Sequence, residues 1–176
     1  RLTPGTSGYF LKTQGAAANP VWASTNNGLT LLSTTAVSGA DSGDITLTAG
    51  KTYKIIMKLV ASNNAVTVNA TLNGDTGTNY WLVGTSSAGA ASYILSAAIS
   101  NSMAFTWILN ITPFQADTTQ VMVTSDALYL NSSTGNLTSF TTGLNYNGSA
   151  AVTILKVLVS AGTITGTIWT YEYSGA

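Results

Sequence analysis

Six acidic side chains are the groups in this 176-residue sequence from which a catalytic carboxylate would have to come. They are Asp41, Asp44, Asp75, Asp117, Asp126 and Glu172. The sequence contains no histidine and no cysteine, which removes the commonest general base, thiolate nucleophiles, disulfides and the usual zinc ligands. A pair of carboxylates is enough to hydrolyse a glycosidic bond, so glycosidase chemistry is the enzymatic activity that has to be weighed.

The aspartates have a simpler interpretation as turn residues. Asp41 and Asp44 lie in a Ser/Gly turn, Asp75 follows Asn-Gly, and Asp126 follows a serine, all settings in which an aspartate hydrogen-bonds its own backbone. Glu172 fits an exposed strand rim. We therefore expect that the protein is not an enzyme.

Calcium is the metal that best suits this composition, because carboxylate, amide and carbonyl oxygens are its ligands. Residues 41–44 and 73–79 are rich in Asp, Asn and Gly, but neither segment has the spacing of an EF-hand loop. Turn chemistry explains both segments without an ion. The sequence predicts neither a metal nor another cofactor.

A binding function is supported by aromatic and amide side chains in and beside a polar stretch, residues 131–150. Long loops commonly carry function, and rings there can stack on sugars while amides hydrogen-bond hydroxyl groups. The hypothetical receptor contacts are Tyr129, Asn145, Tyr146 and Asn147. Two alternatives stay open: the stretch is an irregular edge strand with a hairpin, and Tyr146 only pins it onto the domain.

The charge pattern excludes several classes of partner. Charged residues make up 7% of the chain, and six basic residues balance six acidic ones without forming a basic patch. This pattern argues against nucleic acid and anionic membranes, and no apolar run approaches the roughly 20 residues of a spanning helix. A neutral surface with so little charge repulsion predicts that sister subunits cover part of it.

Period-2 alternation of apolar and polar residues predicts an all-β chain. It is clearest at residues 66–72, where Val66, Val68, Ala70 and Leu72 share one face of a strand inside a larger antiparallel sheet. Turn residues 73–79 then lead to a second strand at Tyr80, which makes a hairpin or a short arch.

Further strands follow from the same alternation. They are predicted near residues 29–37, 44–48, 53–59, 93–99, 103–111, 121–123, 128–130, 151–159 and 163–173. Lys54 and Lys58 form an outward stripe that we interpret as protection of an edge strand. The last strand is long and aromatic, so we expect the C-terminus to be tied into the sheet.

The chain divides into an extended N-terminal arm, residues 1–28, and a β-sandwich domain, residues 29–176. The arm is rich in Gly, Ala, Asn and Thr, but it carries Tyr9, Phe10 and Trp22, which need a surface to bury on. These three residues are the hypothetical subunit interface. The alternative is a disordered arm with idle aromatic residues.

Residues 8–23 resemble the spacer of tail fibre and other virion proteins of bacterial viruses, in which a leucine precedes a Gly-Ala-rich turn and a Pro-x-Trp pair. The matching residues are Leu11, Gly15, Ala16, Asn19, Pro20 and Trp22. Residues 45–59, 72–82 and 164–173 are similar to the β-sandwich head of such fibres. Residues 139–148 and the segment MAFTWILNI match no motif of the family.

The resemblance implies an antiparallel, jelly-roll-like sandwich that forms a homotrimer on the virion surface. It implies attachment to the host cell through a surface glycan or protein, and contact with other virion proteins. Two alternatives remain open, a purely structural virion or decoration domain and a monomeric carbohydrate-binding module.

Overall fold

A computed structural model of the chain describes residues 9–15, 18–24, 28–82, 93–99, 103–114, 117–131 and 134–173. These residues contain thirteen β-strands and no helix. The strands are β1 (Tyr9–Lys12), β2 (Val21–Ser24), β3 (Leu29–Gly39), β4 (Ile45–Thr46), β5 (Tyr53–Ala61), β6 (Val66–Leu72), β7 (Tyr80–Leu82), β8 (Tyr93–Ile99), β9 (Ala104–Phe114), β10 (Asp117–Leu130), β11 (Leu137–Asn147), β12 (Ile154–Val159) and β13 (Ile164–Tyr173). In the part of the chain that is described, no helix is long and apolar enough to cross a membrane.

The strands form two main antiparallel sheets, which confirms the predicted all-β class. One sheet has seven strands in the order β3-β13-β5-β9-β10-β11-β7, and the other has four in the order β4-β12-β6-β8. Every recorded pairing is antiparallel. The buried apolar side chains of both sheets belong to one continuous core, as in a sandwich.

Alternation decides which side chains enter that core. In β5, Tyr53, Ile55, Met57 and Leu59 are buried while the residues between them are half-buried or exposed. Strand β9 repeats the pattern, with the Phe105 and Trp107 rings 4.3 Å apart in the core. Large aromatic and branched residues fill the space between the sheets because they bury the most apolar area.

Strand β6 has the predicted position inside a sheet, between β12 and β8. The residues after it do not form a hairpin, because β6 and β7 belong to different sheets. Residues 73–79 are the predicted alternative, an arch that carries the chain from one sheet to the other. Asn73 adopts a positive φ of 53° at the start of this arch.

Two sequence predictions about the middle of the chain are wrong. The two short strands predicted at 121–123 and 128–130 are one strand, β10, in which Ser125 is a buried polar residue that interrupts the apolar pattern. The predicted long surface loop at 131–150 contains strand β11, which pairs with β10 from Gln120–Asn147 to Leu130–Leu137. The alternative, an edge strand with a hairpin, agrees better with the structure, because β10 and β11 form a hairpin and β7 pairs with β11 only from Leu144 to Tyr146.

The interpretation of Lys54 and Lys58 as edge protection is also wrong. Their strand, β5, lies inside the seven-stranded sheet between β13 and β9. The two lysines therefore stand on the face of the sheet rather than at its edge.

The first and the last strands of the described residues both belong to sheets. Where the sequence predicts an extended arm, β1 and β2 form an antiparallel hairpin in which Leu11 faces Trp22. At the other end, β13 pairs with both β3 and β5, so the last strand is held on both sides as predicted.

Candidate binding site

Two buried tyrosines fix the end of the sandwich where β7 joins the seven-stranded sheet. Tyr80 and Tyr146 are direct partners in the pairing of β7 with β11, and their ring centroids are 5.0 Å apart. The Tyr80 hydroxyl accepts a hydrogen bond from the Leu72 N–H at 2.7 Å and donates to the Asp75 carbonyl at 3.1 Å. The short strand β7 is thereby tied to the opposite sheet.

The Asp75 carboxylate is the second fixed point of this region. It accepts hydrogen bonds from the Tyr146 hydroxyl at 3.0 Å, the Asn79 amide at 2.8 Å and the Gly77 N–H at 2.7 Å. The bond from Asn79 lowers the pKa of Asp75, and the bonds from Gly77 and Tyr146 add to this effect against the opposing effect of burial. The carboxylate is a structural acceptor, as turn chemistry predicts.

Burial raises the pKa of Tyr80 to about 12, and burial followed by the Asp75 charge raises the pKa of Tyr146 further. The folded protein thus holds both phenolic protons more tightly than the unfolded chain, whose tyrosine pKa is about 10. This contribution to stability is complete below pH 10 and is lost as the pH rises toward 12.

We expect the melting temperature to fall steeply between pH 10 and 12. The matched variant is Tyr80→Phe. Its melting temperature should be lower than that of the wild type at neutral pH but should fall by less between neutral pH and pH 12. Thermal unfolding followed by circular dichroism at each pH measures both. Parallel pH profiles for the two proteins would contradict the assignment.

The same anchoring turns a tryptophan outward. Because side chains alternate along a strand, the inward Tyr80 places Trp81 on the solvent face, where it remains 46% exposed. Phe114, at the end of β9, is 42% exposed. Strands β11 and β10 lie between them, so the two backbones are separated by three strand spacings, about 14 Å.

An open groove of about 320 Å³ lies between these two aromatic side chains. Its lining consists of Trp81, Phe114, Gln120, Asn145, Tyr146 and Asn147. Asn145 is paired with Trp81 across the β7–β11 ladder, and Asn147 is paired with Gln120 across the β10–β11 ladder. The groove therefore offers two aromatic rings at its sides and three amides between them.

The structure brings together three of the four predicted receptor contacts and changes the role of one of these. Asn145 and Asn147 are exposed in the groove. Tyr146 is buried, so it offers no ring face for stacking and instead pins β11 through its bond to Asp75, as the alternative interpretation has it. Tyr129 is buried near the other end of β10 and is not part of this site.

Sequence reasoning missed Trp81, Phe114 and Gln120. The signal for Trp81 was present, since adjacent aromatic residues in a strand must point to opposite faces. The signal for Phe114 is weak, because a proline such as Pro113 commonly ends a strand, whereas β9 continues through Phe114.

The carboxylates in the described part of the chain have structural partners or lie within strands. Asp41 accepts a bond from the Gly43 N–H at 2.8 Å, which confirms an Asx-type turn, and Asp44 forms an ion pair with Lys156 at 3.0 Å. Glu172 pairs with Lys51 at 3.6 Å. Asp126 does not sit in the predicted turn, because it lies within β10.

The Asp117 side chain lies outside the described residues. Among the residues that are described, no group of three or more acidic residues is placed to hold a metal ion. No protein-family model, curated protein or solved structure was found to be similar to this chain.

Proposed function

We propose that this chain is a non-enzymatic attachment domain, the head of a homotrimeric viral fibre or spike. Its groove between Trp81 and Phe114 would bind a glycan of the host cell surface. The observation that carries the proposal is the pairing of two exposed rings with three amides on a rigid strand surface.

The chemistry of the groove suits a sugar. The apolar face of a sugar ring packs against an exposed aromatic ring, and the amides of Gln120, Asn145 and Asn147 can donate to and accept from its hydroxyl groups. A span of about 14 Å between the two aromatic backbones has room for a short oligosaccharide rather than a single small molecule.

The charge of the groove narrows the ligand class. The six residues that line it are all neutral, so a phosphate or carboxylate would find no cation there. A neutral glycan has the smallest desolvation cost on entering such a site, because moving an ion out of water without a partner is unfavourable. We therefore favour neutral glycans over charged ones, and a glycan over a protein receptor.

Strand order supports a jelly-roll fold for the proposed head. Strands β3, β13, β5 and β9 are neighbours in one sheet and β4, β12, β6 and β8 in the other. If these eight strands alone are numbered 1 to 8 in chain order, the two sheets have the strand orders 1-8-3-6 and 2-7-4-5. This is the arrangement of two intertwined Greek keys that is typical of jelly rolls. On this interpretation β7, β10 and β11 are additions, and the additions build most of the groove.

The viral setting rests on the resemblance of residues 8–23 to fibre spacers and on the low surface charge. A trimeric head would present three grooves, so individually weak contacts would act together through avidity. A monomeric carbohydrate-binding module has the same groove, and the mass of the protein in solution separates the two possibilities.

The experiment that tests the proposal is a binding screen of the purified full chain against immobilised bacterial polysaccharides and oligosaccharides, neutral and anionic. We expect binding to one or a few neutral glycans that competes with the same free oligosaccharide. Absence of binding across the screen, or binding that follows anionic charge and disappears with salt, would overturn the proposed ligand.

A further inference from the structure

The side of the seven-stranded sheet that faces away from the four-stranded sheet is largely polar but carries an apolar strip near its middle. We call this side, opposite the core, the outer face. One register row crosses it from Trp169 through Ile56 and Ile108 to Asp126. The neighbouring row contributes Leu128, which is 48% exposed. A groove of about 400 Å³ lies at the side of this row, lined in part by Ile108, Asp126 and Leu128.

Three charged side chains on the outer face form no ion pair among the described residues. Lys54 and Lys58 flank Ile56 along β5, and Asp126 accepts a hydrogen bond from the Thr141 hydroxyl at 2.9 Å. Among the described residues the ion pairs are Lys51 with Glu172 and Lys156 with Asp44, so these three charges have no opposite charge. A surface with an apolar centre, two cations and one anion is suited to a specific partner.

The β1–β2 hairpin is a second uncovered apolar element. Its five large apolar side chains are between 38% and 45% exposed, and they are Tyr9, Phe10, Leu11, Val21 and Trp22. The register places Tyr9, Leu11 and Trp22 on one face of the hairpin. It places Phe10, Lys12 and Val21 on the other face. A lone two-stranded hairpin is marginally stable in water, so it needs a surface to pack against.

We propose that the hairpin of one copy docks on the outer face of a second copy, with Phe10 and Val21 against Ile108 and Leu128. In this arrangement Lys12, which has no ion pair among the described residues, meets Asp126 of the second copy. Lys58 lies next to the proposed position of the Phe10 ring, where a cation–π contact is available.

The occupant is a second copy rather than the same chain for two reasons. The large apolar side chains of the hairpin remain exposed in the single chain. Since both of its faces are apolar, a single surface covers only half of it, whereas an assembly of copies supplies a surface for each face. Met122 is the β10 partner of the groove residue Asn145, and Asp126 lies four residues farther along β10, about 13 Å away. Docking at Asp126 therefore leaves the groove at Trp81 open.

Because the sequence contains no cysteine, thiol crosslinks can form only between introduced cysteines. Full-length Lys12→Cys carrying a size tag is co-expressed with untagged Asp126→Cys and treated with a short bismaleimide. We expect a tagged–untagged covalent dimer at about ten times or more the yield of the control, because docking raises the effective concentration of the two thiols. The control pairs Lys12→Cys with Ala161→Cys, which lies in the exposed turn between β12 and β13.

Charge reversal gives a second readout. Lys12→Glu and Asp126→Lys should each lower the fraction of assembled protein measured by light scattering, and the double variant should restore it. The double variant Lys12→Cys/Asp126→Cys tests docking within one chain, and a crosslink that forms only within a single chain of this variant would overturn docking between copies. A dimer yield no higher than the control would overturn the proposed docking surface. If the wild type still assembles, the subunit interface lies elsewhere, and the proposed trimeric head is unaffected.

Discussion

Replacing Gly166 by alanine should cost the sandwich more than about 3 kcal/mol of unfolding free energy, because backbone strain and a steric clash act together. Gly166 has a φ of 143°, which residues with a side chain rarely adopt. A Cβ there would lie 2.9 Å from the Leu59 Cα and closer still to the Lys58 carbonyl oxygen. Both obstacles are backbone atoms of β5, so no side chain can move to make room.

The matched control is Gly135→Ala. Gly135 also has a positive φ, of 68°, but nothing lies within 4 Å of the position that its Cβ would take. We expect this variant to lose about 1 kcal/mol, the cost of the backbone conformation alone. Urea unfolding of both variants and the wild type at one protomer concentration measures the difference. Equal losses would show that β13 does not approach β5 as closely as described.

Replacing Trp81 by alanine should weaken glycan binding about tenfold to hundredfold, since truncating a central aromatic contact commonly costs about 1–3 kcal/mol. The fold should survive, because Trp81 is exposed and its neighbour Tyr80 holds β7 in place. On a multivalent surface the loss should be larger, because every groove of an assembly is weakened at once. Phe114→Ala should have a smaller effect in the same direction.

The control for Trp81→Ala is Leu32→Ala, a change at a similarly exposed apolar residue of β3 that lies outside both the groove and the proposed docking surface. Affinities for the glycan selected in the binding screen are measured by calorimetry, and circular dichroism verifies that each variant is folded. Unchanged affinity in Trp81→Ala would exclude the groove as the binding site, even if the protein binds glycans. An equal loss in Leu32→Ala would point to a binding surface elsewhere on the sheet.

The all-β class and most strands could be predicted because alternation is local. Residues 66–72 and 53–59 show which face enters the core within a single strand, and the structure buries every apolar residue predicted to lie on that face. Thr71, on the opposite face of β6, is buried as well. The same rule failed where a polar residue points inward. Ser125 interrupted the apolar face of β10 and made one strand look like two.

The composition of residues 131–150 does not decide between a surface loop and an edge strand with a hairpin. Thr, Ser, Asn and Gly dominate this segment, and the pairing with β10 that makes it a strand is not visible in composition. With that choice open, Tyr146 can be an exposed contact or a pin, although its alternation with Leu144 places both on one face of a strand. The sequence predicts Asn145 and Asn147 as contacts because they lie in a polar stretch. In the structure they are exposed because they alternate with the buried residues of β11.

The groove itself could not be predicted, because it depends on pairings between residues that are distant in the sequence. Trp81 faces Asn145 only because β7 joins β11, and Phe114 comes near only because β9 and β11 both pair with β10. Sequence shows the chemical types of these residues. Their meeting is a property of sheet order, which local patterns do not encode.

A crystal structure of the full chain with the oligosaccharide selected by the screen would show where the glycan binds. We predict a sugar ring in van der Waals contact with the face of Trp81, at about 4 Å, with its hydroxyl groups hydrogen-bonded to the amides of Asn145 and Asn147. Sugar density at any other surface, with the Trp81 groove empty, would contradict the account.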